Sequence, residues 1–553
     1  MNKLLKKSLL VTLSATLLFS LTGCGNEAET TEASEVTKTT KDIVVGINKI
    51  GVLDPPACID VETTAVLIQL YTPLFIYGPD SNPIPVGVET YNVSDDGLVY
   101  TLNLRQDMKW SDGEPLTAHH YEYGIKRSLG YGPEATESDN IGIYVLNAED
   151  AWSNSADVAD MGDVGVKSID DYTLEITLKE PAAFFLPILT TNVYLPQRPD
   201  IATEHDSEWA LSTNQPTCGA FMLTELNESG DTIVTKNPNY FDAANVKLDT
   251  VTFKSMPDTN AQLLAFQNDD IDCAFHLDLG AAKAIYGGQP ELEMGNTILI
   301  NYIQINTSEL APNPNPALQD VNIRRAMAMS INREEFILAL DAENIYKPIY
   351  GQVPTGIPGE NGFFREEADA NGYYIEHDLE GAKKLMQEAG YTPENPLTIE
   401  YYYNGSSTND TVAAVLQAQW KQIGINVELK TAESKVFFDD VLNYGAFEVS
   451  RMGYSAGLVD PYNFLELFVD SHQSFAVFDD ERINQLVEDS SKELDVSKRM
   501  DMLKEVDRLI VEENVWTIPV YSYTLPYLVD QSVSGIETAA SGAKYFTYVD
   551  INE

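Results

Sequence analysis

From residue 42 onward, short runs of alternating apolar residues and longer runs with helical spacing succeed one another, with no internal repeat. This alternation constrains the fold most, because strand–helix–strand succession builds α/β layers around largely buried sheets. Asp42–Ile47 reads as the first strand. Residues 63–71 read as a helix, with Val66, Leu67 and Leu70 on one face and Pro73 beyond its end. Residues 98–104 and 172–178 alternate like half-buried strands. Asp112-Gly113 predicts a turn, and Thr117 the N-cap of a helix over 118–129. Further helices are predicted over 260–267, 321–330, 333–340 after Asn332, 379–389 before Gly390, 411–423 before Gly424, and 497–512. Strands are predicted over 271–275, 397–403, 425–429 and 515–521. Residues 140–164, 306–316 and 350–374 show little pattern and are expected to be surface loops.

The start of the chain bears on location. Lys3, Lys6 and Lys7 precede a mostly apolar run over 9–21, and Leu21-Thr22-Gly23-Cys24 follows. This is the layout of a secretory signal, with an apolar core too short for a membrane span. Its ending resembles a bacterial lipobox. That resemblance implies a leader over 1–23, cleavage before Cys24, a lipid on Cys24, and a protein anchored to the cell membrane on its extracytoplasmic side. Residues 24–41 are polar and acidic and read as a flexible tether. No later run of about 18 apolar residues occurs, so no second span is expected.

With 35 basic and 85 acidic residues, the chain has a formal charge of −50. Such a surface repels phosphate backbones and anionic headgroups, which excludes nucleic acid as a partner. Apart from Cys24, the cysteines are Cys58, Cys218 and Cys273, an odd number far apart, with no zinc spacing. Buried thiols are expected, with one disulfide as the alternative.

Five segments carry a family resemblance. Leu104-Arg105 with Trp110-Ser111-Asp112-Gly113-Glu114-Pro115-Leu116-Thr117-Ala118 resembles LR-x-G-V-x-F/W-S-D-G-x-P-[VL]-T-A, with Asp107 where Gly is usual. Lys236-Asn237-Pro238-Asn239-Tyr240-Phe241, Asp320 to Arg333, Asp378 to Leu385 with Ala389-Gly390-Tyr391, and Asp460-Pro461-Tyr462-Asn463-Phe464-Leu465 follow in order. Together they resemble the family 5 extracellular solute-binding proteins, the oligopeptide and dipeptide receptors of ABC importers. The resemblance spans the mature chain. It implies a two-lobed α/β periplasmic-binding-protein fold, type II in its large cluster C form, with an extra subdomain inserted in lobe I. By that resemblance lobe I comprises residues 42–83, the inserted subdomain 84–187, and 188–277. Lobe II comprises 278–520, and 521–553 return to lobe I. The crossings are expected near 275–279 and 519–525. A monomer is expected to close its lobes on a small-molecule ligand, foremost a peptide, and hand it to the permease and its ATPase subunits. No cofactor is implied.

In peptide-binding members the pocket loop resembles R-x-G-W-x-x-D-x-x-[DE]-P, its first aspartate holding the peptide's α-amino group. Here Arg451 and Gly453 match, Tyr454 replaces the Trp, Ser455 follows, and Gly457 stands at the aspartate position. Asp460 aligns with the second acid, beside Pro461. A buried ammonium needs a carboxylate. Asp60, Glu62 or Asp460 is therefore a candidate replacement, or the ligand lacks a free amino terminus. Cys58 lies in the loop expected to border the cleft from lobe I. Sugars, metal chelates and opines remain alternative ligands, and a peptide-signal receptor an alternative role.

Gly453-Tyr454-Ser455-Ala456-Gly457 also fits G-x-S-x-G, and Asp460 and His472 follow in hydrolase order. Pro461 lies too close behind, no HGGG-like segment exists, and all three candidates come from one short stretch. Catalysis at Ser455 is the remote reading. No HExxH or P-loop occurs, and His119-His120 diverge on a helix.

Overall fold

The computed structural model describes residues 40–553, apart from residues 59, 136, 206–208, 211–214, 228–229, 310, 344, 444, 470–477, 540–541 and 553. The leader, Cys24, most of the tether and His472 therefore lie outside the described residues.

Asp42–Ile47 forms the expected strand and sits inside an eleven-stranded mixed sheet among the described residues. Along that sheet run Ile425–Ala432, Leu397–Asn404, Val449–Ser455, Leu292–Ile305, Thr517–Val529, Cys273–Ala274, Asp42–Ile47, Thr250–Ser255, Thr232–Lys236 and Phe221–Leu226. Lys347–Pro348 pairs separately with Thr517–Val529. The long pair at the centre is an antiparallel ribbon, with Leu292 opposite Leu528 at one end and Gln304 opposite Thr517 at the other. Its register slips between Gly295 and Leu299. The extra residues there break the ladder and bend the ribbon, as a bulge does.

Buried side chains divide at this ribbon. One core runs from Ile43 and Phe253 to Phe546, with Val529 at its edge. On the other side of the slip the sheet carries a core on each face, around Ile303, Tyr401 and Trp420 and around Tyr302, Phe464 and Leu503. The halves exchange residues: Leu458 joins the first core, and Tyr77 and Ala539 join the second. This is the two-lobed α/β architecture.

Inside 84–187 stands a separate antiparallel sheet, ordered Val88–Val93, Val99–Leu104, Thr173–Thr177, Val166–Asp170. Its buried Leu102, Leu174 and Ile176 share a core with Ile125 and Leu129 of the helix Ala118–Gly130. That helix starts where the sequence put it. Thr117 caps it, and His120 Nδ1 accepts a hydrogen bond from the Thr117 amide at 3.0 Å, completing a capping box. Gly390 and Gly424 follow their helices with φ of 88° and 84°, the left-handed conformation that ends a helix.

Four expectations are corrected. Residues 140–164 are not a plain loop: Asp139–Tyr144 and Glu149–Ser153 are helices, with the Trp152 ring packed over Gly142. Residues 350–374 hold the helix Phe364–Ala370. The helix expected to reach 512 is α-helical over Val496–Arg508 and widens into a π turn over Leu509–Glu513. The last long strand extends to Val529, because its far end pairs with Leu292–Gly295 and with Cys273–Ala274.

The C-terminal segment returns to the first core. Lys41 Nζ pairs with the Asp550 carboxylate. Gln69, fully buried, donates to the Lys544 carbonyl at 2.9 Å and accepts from the Phe546 amide at 3.1 Å. Cys58, Cys218 and Cys273 are free and buried.

Candidate functional site

Period-two alternation divides the pocket-loop residues between the two faces of the strand Val449–Ser455. Arg451, Gly453 and Ser455 share one face, and Met452 and Tyr454 the other. Cross-strand pairing extends the first face: Asn301 lies opposite both Gly453 and Tyr521, and Leu299 opposite both Ser455 and Tyr523. Tyr346 stacks on Tyr521 at 5.2 Å and tilts against Tyr523 at 5.6 Å. The result is a tyrosine-rich surface with one cation in it.

That cation is Arg451. Its guanidinium charge partly offsets the burial that raises the phenols of Tyr401, Tyr521 and Tyr523. Among the described residues Arg451 forms no ion pair. Its one hydrogen bond is a long one, Nη1 to Asn404 Oδ1 at 3.4 Å, and its buried Nε has no partner. Gly453 makes the room: a Cβ there would lie 2.8 Å from Arg451 Nη2. The buried Asn301 also leaves its Oδ1 unsatisfied. An unmatched guanidinium in a chain with 85 acids is conspicuous, because desolvating it without a partner is costly. Tyr454, half-buried on the opposite face, packs edge-on against Phe464 at 5.5 Å.

Beyond Ser455 the chain turns. The Leu458 amide donates to Asn463 Oδ1 and the Val459 amide to the Tyr77 hydroxyl, both at 3.1 Å. Asp460 does not face open space. Arg499 holds both its oxygens, at 2.6 and 3.0 Å, and it also accepts from the Tyr462 amide. Tyr462 stacks on Phe184, which follows the separate four-stranded sheet in sequence, at 4.5 Å. Gly457 is exposed at the tip of the turn. A Cβ on it would lie 3.5 Å from Glu137 Oε1. Burial, with the neighbouring Asp139, pushes the Glu137 carboxyl up to about 7.

On the facing loop, Asp60 caps the helix Val61–Leu70 by accepting from the Thr63 amide at 2.7 Å, and Glu62 sits in that helix's first turn. Both positions suit a carboxylate near a helix N-terminus. Cys58 is buried 3.3 Å from Thr64 Oγ1, and burial raises its thiol. The structure thus gathers Arg451, Gly453 and Ser455 in one row. It puts Tyr454 on the other face and engages Asp460 and Asp60 in structural bonds. Sequence reasoning missed Asn301, Tyr521, Tyr523 and Tyr346, which only cross-strand register brings to Arg451. It also missed Glu137, which lies more than 300 residues before the turn it faces.

Ser455 is exposed at a strand end, and the acid that would orient a base is already held by Arg499. Among the described residues no three His, Cys, Asp or Glu side chains form a metal-binding group, and no helix is long and apolar enough to cross a membrane.

The family model for bacterial extracellular solute-binding proteins, family 5 Middle, matches residues 82–476. The oligopeptide-binding protein OppA of Bacillus subtilis (strain 168) is 28% identical over 549 residues, covering 96% of each chain. The dipeptide-binding protein DppE of the same organism is 28% identical over 531 residues, covering 94% of each. In solved structures, the unliganded open form of MppA, a periplasmic murein tripeptide binding protein, matches with a TM-score of 0.78 at 24% identity. That match covers 93% of this chain and 97% of the other.

Proposed function

The chain belongs to the family 5 bacterial extracellular solute-binding proteins, and from that premise we propose that it captures oligopeptides between its lobes and delivers them to an ABC importer. It is a binding protein and not an enzyme; ATP is hydrolysed by the importer's own subunits. The observation that carries the peptide reading is the unmatched Arg451 guanidinium on a tyrosine-lined strand face. A peptide's terminal carboxylate supplies its missing partner as a charge-assisted pair. Asn301 has an acceptor free for a ligand N–H. The tyrosine rings give apolar area with polar tips, which suits side chains of varied chemistry.

Residues 42–277, including the inserted 84–187, with 521–553 form lobe I, and lobe II lies between. We set the first crossing at 295–299 rather than 275–279. The helix Leu279–Tyr286 still packs through Ala281 and Tyr286 on the cluster of Leu263, Phe266 and Ala274. The register slip then makes the ribbon the hinge, and ligand favours the closed state through contacts made to both lobes. Cys24 carries the lipid that holds this monomer at the outer face of the cell membrane, on the strength of the lipobox-like ending at Cys24.

A thermal-shift screen of ligand-stripped protein tests the peptide reading. A pool of tri- to pentapeptides at 100 times Kd adds about 2.7 kcal/mol and raises the midpoint. A shift with monosaccharides and none with peptides would reassign the ligand.

A further inference from the structure

Glu137 is an acid the pocket loop does not contain, yet it lies at that loop. Its Oε1 is 3.5 Å from the position a Cβ on Gly457 would occupy. It is partly buried, and among the described residues its carboxylate has no hydrogen-bond donor and no cation. Of the described residues, the one charge that acts on it is that of another acid, Asp139, which raises it. The Cys58 thiol and Tyr77 phenol both feel its charge. Its backbone is held at φ 66°, an unusual conformation for a glutamate. A carboxylate partly buried and unpaired costs stability, and a bound cation removes that cost.

Resting on the peptide reading above, we infer that Glu137 is the carboxylate that receives the ligand's free α-amino group. Lobe I thus supplies the counter-charge that the glycine at 457 leaves out of lobe II. The ligand is then held as a zwitterion. Its ammonium meets Glu137 at the turn, and its carboxylate meets Arg451 further back along the same strand. Because the two charges belong to different lobes, a ligand with a free amino group draws the lobes together, and one with a blocked amino group does not.

The test is calorimetric binding by the purified protein of two peptide pools, tri- to pentapeptides with free N-termini and the same pool N-acetylated. The expected result is that acetylation weakens binding by about 10- to 100-fold, the size of a lost charge-assisted bond. Glu137→Gln should weaken binding of the free pool by a similar factor and abolish the preference. Glu137→Gln combined with Gly457→Asp should restore it, since the new carboxylate starts from a Cβ beside the one removed. Unliganded melting of the variants reports folding separately, and Glu137→Gln should melt no lower than the parent. Equal binding of both pools by the parent overturns the role of Glu137 and leaves the peptide reading standing. So does a preference that survives Glu137→Gln. Binding of neither pool overturns the peptide reading, and this inference with it.

Discussion

Asp460 and Arg499 grip one another at two points, 2.6 and 3.0 Å, with both side chains buried. The pair locks the end of the pocket turn onto the helix Val496–Arg508. Removing one partner leaves the other charge buried without compensation. Asp460→Ala is therefore expected to cost about 3–5 kcal/mol, read as a lower urea midpoint. An unmoved midpoint would refute the structural role assigned to this acid.

On the peptide reading, Arg451 is expected to act on ligand and not on stability. Arg451→Met should reduce affinity for free peptides about 10- to 100-fold while leaving the unliganded melting temperature unchanged or higher. C-terminally amidated peptides are the control: the parent protein should bind them poorly, and the variant should bind both forms alike. Gly453→Ala, whose methyl would crowd Nη2, should give a smaller loss of the same kind, since the guanidinium can swing aside.

Gly351 lies against the buried pair of Arg365 and Asp507, which meet at 2.6 Å. An added methyl would overlap the guanidinium. Gly351→Ala should therefore destabilise the protein by about 3 kcal/mol or more, measured by chemical unfolding. Ligand affinity of the molecules that remain folded should be unaffected.

His120 predicts a pH dependence. Burial, reinforced by the charge of Arg198, lowers its value from 6.5 to about 4, and its capping bond requires the neutral ring. Between those values the unfolded chain binds a proton that the native protein does not. This contribution is complete above pH 6.5 and is lost as pH falls towards 4. His120→Gln should flatten that part of the stability curve, measured as unfolding free energy at half-unit steps from pH 4 to 7.

Cys24 should carry lipid. Labelled palmitate is expected to enter the parent chain, and Cys24→Ser should abolish the label and release the protein from membranes. Label persisting in the variant would exclude this site.

The parts legible in the sequence were those fixed by neighbours along the chain. Thr117 and Gly390 bound their helices where the sequence placed them, because a helix end needs only the next few residues; Asn332 stands at the expected N-cap position, though its side chain makes no capping bond there. The helices over 139–153 were not legible: each is one or two turns long, too short for periodicity, and tertiary packing against Trp152 sustains them. Of the site, Arg451, Gly453 and Gly457 could be read from one contiguous motif. Asn301 and Tyr521 reach Arg451 through strand register, and Glu137 reaches Gly457 through the meeting of two lobes. Neither relation leaves a local trace.

The pairing of Lys41 with Asp550, backed by Gln69 beneath the returning segment, sets the start of the described residues beside their end. With the residues before 40 removed, a few added residues would join these two points, and the chain could be reopened elsewhere. Cut within 306–316, a circularly permuted protein would keep both strands of the ribbon intact, and its new termini would sit beyond the register slip.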